Sequence, residues 1–234
     1  MTDGSSQHPG LAMIPRQTPP PEPVAASGRR YVVGVSGASG APYAIRVLEQ
    51  LLLRGHEVHA VVSEYGQRLL FDEAGVRRIE LDDLCPNLAE APGADVYAAR
   101  LIKHPNKDVG AVIASGSFLH DGMAVVPCSS TSLGAIASGS GSNLLSRAAM
   151  VTLKERRPLV ICHREMPLNF IDIENLRTLS LAGAALCSPN PGFYLLPQTI
   201  HDVVDFTVGK VLDLLGVAHE LKTRWEDGQA GEPR

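Results

Sequence analysis

Tyr31-Val32-Val33-Gly34-Val35-Ser36-Gly37-Ala38-Ser39-Gly40 is an apolar run that stops at a glycine turn. Its first six residues read as a short strand, and the four that follow read as a tight turn into a helix. That helix carries Ile45, Leu48, Leu51 and Leu52 at helical spacing, and Gly55 stops it. A second, Val-rich strand is expected over 58–63. The stretch between the two strands is long enough for a right-handed crossover, so they should pair in parallel.

Outward from this unit the alternation repeats. Apolar runs at 111–114, 123–126, 158–162 and 184–187 read as strands. Helices are expected from 130, over 143–155, near 174–181 and over 200–215. Strands alternating with helices specify an α/β fold, a Rossmann-like/flavodoxin-like three-layer sandwich with a mostly parallel sheet. Such sheets bind ligands outside the carboxyl ends of their strands, so the functional residues should follow the strands directly.

The chain has 234 residues, which suits one domain with a sizeable core. A net charge of -4, with 20% charged and 44% hydrophobic residues, gives no sign of nucleic-acid binding. Cys85, Cys128, Cys162 and Cys187 are widely spaced and form no C-x-x-C pair, which points to a reducing, cytoplasmic setting. No apolar stretch has the length of a membrane span. Pro15, Pro19, Pro20, Pro21 and Pro23 lie among Ser, Gln, Thr and Gly, a composition that does not repay ordering. Residues 1–29 are therefore expected to be a disordered tail, 30–225 the domain, and 226–234 a flexible end.

Three clusters carry candidate chemistry. Gly34, Gly37 and Gly40 stand three apart, and with Ser36 and Ser39 they offer N–H and O–H donors at a helix start, a place for an anion. The spacing is not G-x-G-x-x-G. Glu64 does stand where a ribose-binding acid would, but a mononucleotide fits better than NAD. Ser129, Ser130, Thr131 and Ser132 follow an expected strand and open a helix; one N-cap needs one hydroxyl, and four is a surplus. Ser63, after the second strand, can join the same crevice. Arg147 and Lys154 lie two turns apart on one helix, and Arg164, Glu165 and Tyr194 follow later strands. Cations with an aromatic hydroxyl suit a departing phosphate. His56-Glu57-Val58-His59 is not H-E-x-x-H, so no metal is expected. G-x-S-x-G and a Ser-His-Asp order are likewise missing.

Residue chemistry alone reaches an α/β protein that binds a phosphorylated mononucleotide, and a second phosphate besides. The motifs go further. Gly37-Ala38-Ser39-Gly40-Ala41, Ser115-Gly116-Ser117, Pro127-Cys128-Ser129, Arg147-Ala148-Ala149, the run from Leu153-Lys154-Glu155-Arg156-Arg157 to Val160, Arg164-Glu165-Met166-Pro167 and Pro191-Gly192-Phe193-Tyr194 follow one another in the order and spacing of a known family. In these the chain resembles the UbiX-like flavin prenyltransferases over nearly the whole domain.

The resemblance implies FMN, reduced and consumed as a substrate, held by Gly37, Ala38, Ser39, Ser63, Ser129, Ser130, Thr131, Ser132 and Arg164. It implies dimethylallyl phosphate held by Arg147, Lys154, Glu165, Tyr194 and Lys210, with Ser39, Glu73 and Glu165 as catalytic groups. The family joins the prenyl group to nitrogen-5 and carbon-6 of the flavin without a metal. Its members form dodecamers built of trimers that share sites between subunits, and their product serves a UbiD-like decarboxylase. Lys210 stands where many relatives have arginine, which keeps the charge and loses the bidentate fork. Ser130 and Thr131 vary the usual residues of their segment. Two other readings are weighed: an FMN-dependent cysteine decarboxylase-like flavoprotein, and a non-catalytic flavin-binding subunit of a decarboxylase.

Overall fold

The computed structural model describes residues 22–223, and most of the expected N-terminal tail and all of the C-terminal one lie outside the described residues. In chain order the elements are β1 (Arg30–Val35), α1 (Ala41–Leu53), β2 (Glu57–Val62), α2 (Glu64–Ala74), α3 (Leu81–Leu84), α4 (Pro86–Ala89), α5 (Ala94–Arg100) and β3 (Leu101–Pro105). After these come β4 (Gly122–Cys128), α6 (Ser130–Ala137), α7 (Leu144–Lys154), β5 (Leu159–His163), α8 (Phe170–Ala182), β6 (Ala185–Leu186) and α9 (Ile200–Leu214).

The strands make one sheet in the order β3-β2-β1-β4-β5-β6, and every pairing is parallel. Successive side chains of a strand face opposite sides. Val33 and Tyr31 accordingly join a core with Leu48 and Leu51 of α1 and Val208 and Leu212 of α9. Val32 joins a second core with Met123, Leu133 of α6, Leu145 of α7 and Ile161. The strand order reverses between β1 and β4, so the topology opens a crevice outside their carboxyl ends.

One expected strand is corrected. Residues 111–114 do not pair; Val112–Ala114 form a single 3-10 turn that buries Ile113 and Ala114 and leaves Val112 exposed. Both edges of β4 are already taken by β1 and β5, so this apolar run has no neighbouring strand to join. The helix expected near 174–181 begins earlier, at Phe170, where Asn169 and Asp172 form a capping box.

Residues just before β1 pack on the domain. Ser27 donates its N–H to Gly55 O (2.9 Å), its hydroxyl meets His56 Nδ1 (2.6 Å), and Arg29 Nη1 donates to Gly216 O (3.1 Å). Burial, with Arg29 and Arg54 adding to it, lowers the His56 pKa to about 4. The unfolded chain thus binds a proton near pH 6.5 that the folded one refuses until about pH 4. Stability should fall as the pH is lowered across that window, by about 3 kcal/mol. Urea midpoints measured from pH 7.5 to 4 should show this slope, and His56→Gln should flatten it; an unchanged slope would remove His56 as its source.

Candidate functional site

Four neighbouring strands deliver the hydroxyl and cationic groups to one edge of the sheet. β1 ends in Ser36 and the turn of Gly37, Ala38 and Ser39, β2 ends at Ser63, β4 at Ser129, and β5 at Arg164 and Glu165. Backbone bonds tie these ends together in sequence across the sheet. Ser63 N–H donates to Val35 O (2.9 Å), Ser36 N–H to Pro127 O (3.1 Å), and Arg164 N–H to Cys128 O (3.1 Å).

Ser36, fully buried, is the central tie. Its hydroxyl donates to Pro127 O (3.0 Å) and accepts from Ser129 N–H (2.7 Å), which fixes the start of α6 against the end of β1. Ser129 caps α6 by accepting from Ser132 N–H (3.3 Å), leaving Ser130 and Thr131 at the helix start. Ser63 caps α2 in the same way, accepting from Gly66 N–H (3.0 Å). Gly37 must lack a side chain, because a Cβ there would lie 2.5 Å from Tyr65 Cβ. Gly40 sits at φ 136, a conformation that favours glycine.

The start of α1 differs from expectation. Glu73, on the last turn of α2, places Oε2 against Gly40 N–H (2.9 Å) and Ala41 N–H (2.8 Å). The protein supplies its own anion to that helix start, so an external phosphate would meet the hydroxyl-rich start of α6 rather than that of α1. Glu73 thereby holds the glycine turn in place.

The residues expected to hold the prenyl donor divide between two edges. Glu165 lies in the loop after β5, with Oε1 accepting from Met166 N–H (3.1 Å), and its side chain is exposed. Tyr194 is in a 3-10 turn after β6, packed edge-on against Phe206 of α9 at 5.9 Å between ring centroids. Lys210 is on α9, 4.0 Å from Asp213. Arg147 is exposed in the first turn of α7, whose start is held beside the end of β3 by Asn106, through Leu144 N–H (2.8 Å) and Leu145 N–H (3.0 Å).

Lys154 closes α7 at the other end. Eleven helical residues carry the chain roughly 16 Å, back to the amino-terminal edge of the sheet. There Lys154 Nζ meets Glu155 Oε1 (3.2 Å) and is 67% exposed. Arg157 clamps the loop that enters β4, donating to Phe118 O (2.7 Å) and Gly116 O (2.9 Å). One chain therefore gathers Ser39, Ser63, Ser129, Arg164, Glu165 and Tyr194 at one edge and holds Lys154 at the opposite one.

The donor set fits a flavin mononucleotide. Hydroxyls at a helix start and a guanidinium beside them are the chemistry of a phosphate monoester site, and the crevice between β1 and β4 is where such a sheet takes a nucleotide. Sequence reasoning counted Ser36 among the anion donors of the turn, whereas its hydroxyl is spent on Pro127 O and Ser129 N–H. It also passed over the clamp of Arg157, whose partners are carbonyl groups and leave no motif.

A protein-family model described as Flavoprotein matches residues 21–212. The flavin prenyltransferase UbiX of Halalkalibacterium halodurans is 42% identical over 204 residues, which span 87% of this chain and 97% of that protein. Among solved structures, AnUbiX (PadA1) in complex with FMN and dimethylallyl pyrophosphate superposes with a TM-score of 0.71 at 37% identity, covering 85% of this chain and 99% of that one. A dodecameric FMN-dependent UbiX-like decarboxylase from Escherichia coli O157:H7 gives 0.70 at 38% identity, over 84% and 99% of the two chains.

Proposed function

Since the chain belongs to the flavoprotein family and, within it, to the flavin prenyltransferases, we propose that it joins a dimethylallyl group from a dimethylallyl phosphate ester to FMN at the carboxyl edge of its sheet. The observation that carries this reading is the convergence of the α6 hydroxyls, Arg164 and Glu165 at the topological switch point. Reduced FMN, when bound, supplies the nucleophilic nitrogen that takes the prenyl group.

The chain's own residues bind, orient and move protons. Ser129, Ser130, Thr131 and Ser132, with Arg164, hold the flavin phosphate, while Gly37, Ala38, Ser39 and Ser63 line the crevice above it. Glu73 keeps the glycine turn fixed through Gly40 and Ala41, so that Ser39 can relay a proton. Tyr194, Lys210 and Arg147 hold the phosphate of the donor. As the allylic C–O bond breaks, Glu165 hands its proton to the departing phosphate oxygen. Lys154 neutralises the leaving group from a neighbouring copy of the chain, since its own copy holds it at the far edge.

A homo-oligomer follows from the same reading. α8 buries only Asp172 and Leu179 and exposes Phe170, Ile171 and Leu181, an apolar face suited to another subunit, and a dodecamer is the expected assembly. The domain is taken as 30–225. No helix among the described residues is long and apolar enough to cross a membrane, and the four cysteines are free, which supports a cytoplasmic setting. The product would pass to a UbiD-like decarboxylase.

The test is anaerobic incubation with reduced FMN and dimethylallyl phosphate, followed by the mass of the recovered flavin. A gain of one dimethylallyl group is expected; an unmodified flavin would overturn the reading.

A further inference from the structure

Beneath the start of α6 lies a pair of groups that the flavin chemistry does not use. His163, the last residue of β5, is 3% exposed, and its Nε2 stands 3.3 Å from the Ser130 hydroxyl, at the first residue of α6. Asp172, 2% exposed in the first turn of α8, lies close enough to act on the imidazole by charge. Other groups facing His163 are Glu165 on its own loop and Cys128, opposite it on β4, whose thiol burial keeps protonated.

Resting on the flavin-binding reading above, we propose that His163 is a positioning residue that sets whether the Ser130 hydroxyl donates to the phosphate monoester of the flavin. A neutral imidazole with its proton on Nδ1 accepts at Nε2, and the Ser130 hydrogen is then spent on the ring. An imidazolium donates from Nε2 to Ser130 Oγ instead, and the hydroxyl hydrogen turns free for the anion. The same proton places a positive charge under the phosphate. Both effects act in one direction, so monoester binding strengthens as the ring gains its proton.

Burial lowers the affinity of His163 for a proton, and Asp172 and Glu165 act against that loss. The ring is therefore neutral at pH 7 in the free protein and takes up its proton below the ordinary imidazole range. By reciprocity, the bound phosphate raises the same affinity, so binding and protonation assist one another.

The experiment is an FMN titration by flavin fluorescence on the full chain, from pH 8 to pH 5, using oxidised FMN so that no turnover is needed. The flavin phosphate titrates in this range too, and the ratio of Kd between variant and wild type cancels that contribution. The Kd ratio of His163→Leu to wild type should grow about tenfold for each unit by which the bound phosphate raises the ring's pKa. Ser130→Ala, which leaves the buried ring in place, should lose part of the pH dependence, and Ser130→Thr should restore it. Parallel profiles for wild type, His163→Leu and Ser130→Ala would overturn the role of His163 while leaving the flavin site standing. A wild-type chain that fails to bind FMN at any pH would overturn both.

Discussion

Glu165→Gln should cut prenyl transfer by about 10²–10⁴-fold and leave FMN binding intact, because it removes an acid proton without removing a phosphate contact. The amide keeps the size of the carboxyl and keeps an oxygen for the Met166 N–H that now bonds Oε1 at 3.1 Å. What it loses is the ability to protonate the departing phosphate oxygen. Single-turnover rates under anaerobic conditions measure this directly. A dimethylallyl diphosphate donor, whose leaving group needs less help from an acid, should lose less than the monophosphate. Loss of FMN from Glu165→Gln, with the rate on bound flavin unchanged, would reassign the residue to flavin binding.

The second large effect concerns Lys154. Lys154→Ala removes the charge that would neutralise the leaving phosphate and should lower turnover by about 10²–10³-fold. The more telling result comes from mixing. Glu165 and Lys154 lie at opposite edges of one chain, so a working site should take the two residues from different copies. Co-expression of equal amounts of Glu165→Gln and Lys154→Ala chains should then restore activity to about a quarter of wild type, the share of sites that receive both intact groups under random assembly. Complementation requires a shared site. If the mixture is no more active than its parents, the two residues do not meet across subunits.

Much of this site is legible in the sequence because it lies directly after strands. The run ending at Ser36 and Gly37, and the hydroxyls beginning at Ser129, announce both a strand end and a helix start. β3 is harder to read: Leu-Ile-Lys-His-Pro at the sheet edge has two apolar residues, a proline and partial burial, so no alternation marks it. Residues 111–114 mislead for the opposite reason, being apolar and short enough for a strand while both sides of β4, which follows them, are taken by β1 and β5. The family resemblance implies that Glu73 is a catalytic group. Only the fold shows that its carboxylate is engaged by Gly40 and Ala41, more than thirty residues away in the chain. The separation of Lys154 from Glu165 also escapes the sequence, where they stand close together, because strand β5 runs between them from one edge of the sheet to the other.

A site shared between copies, as proposed, would tie activity to dilution. A site assembled from two chains has no unimolecular form, so specific activity should depend on protein concentration even where every chain remains folded. Below the assembly constant the rate should fall more steeply than in proportion to the protein added, with the far-ultraviolet circular dichroism per residue unchanged. Abundance in the cell would then govern the quality of each catalyst as well as the number of catalysts.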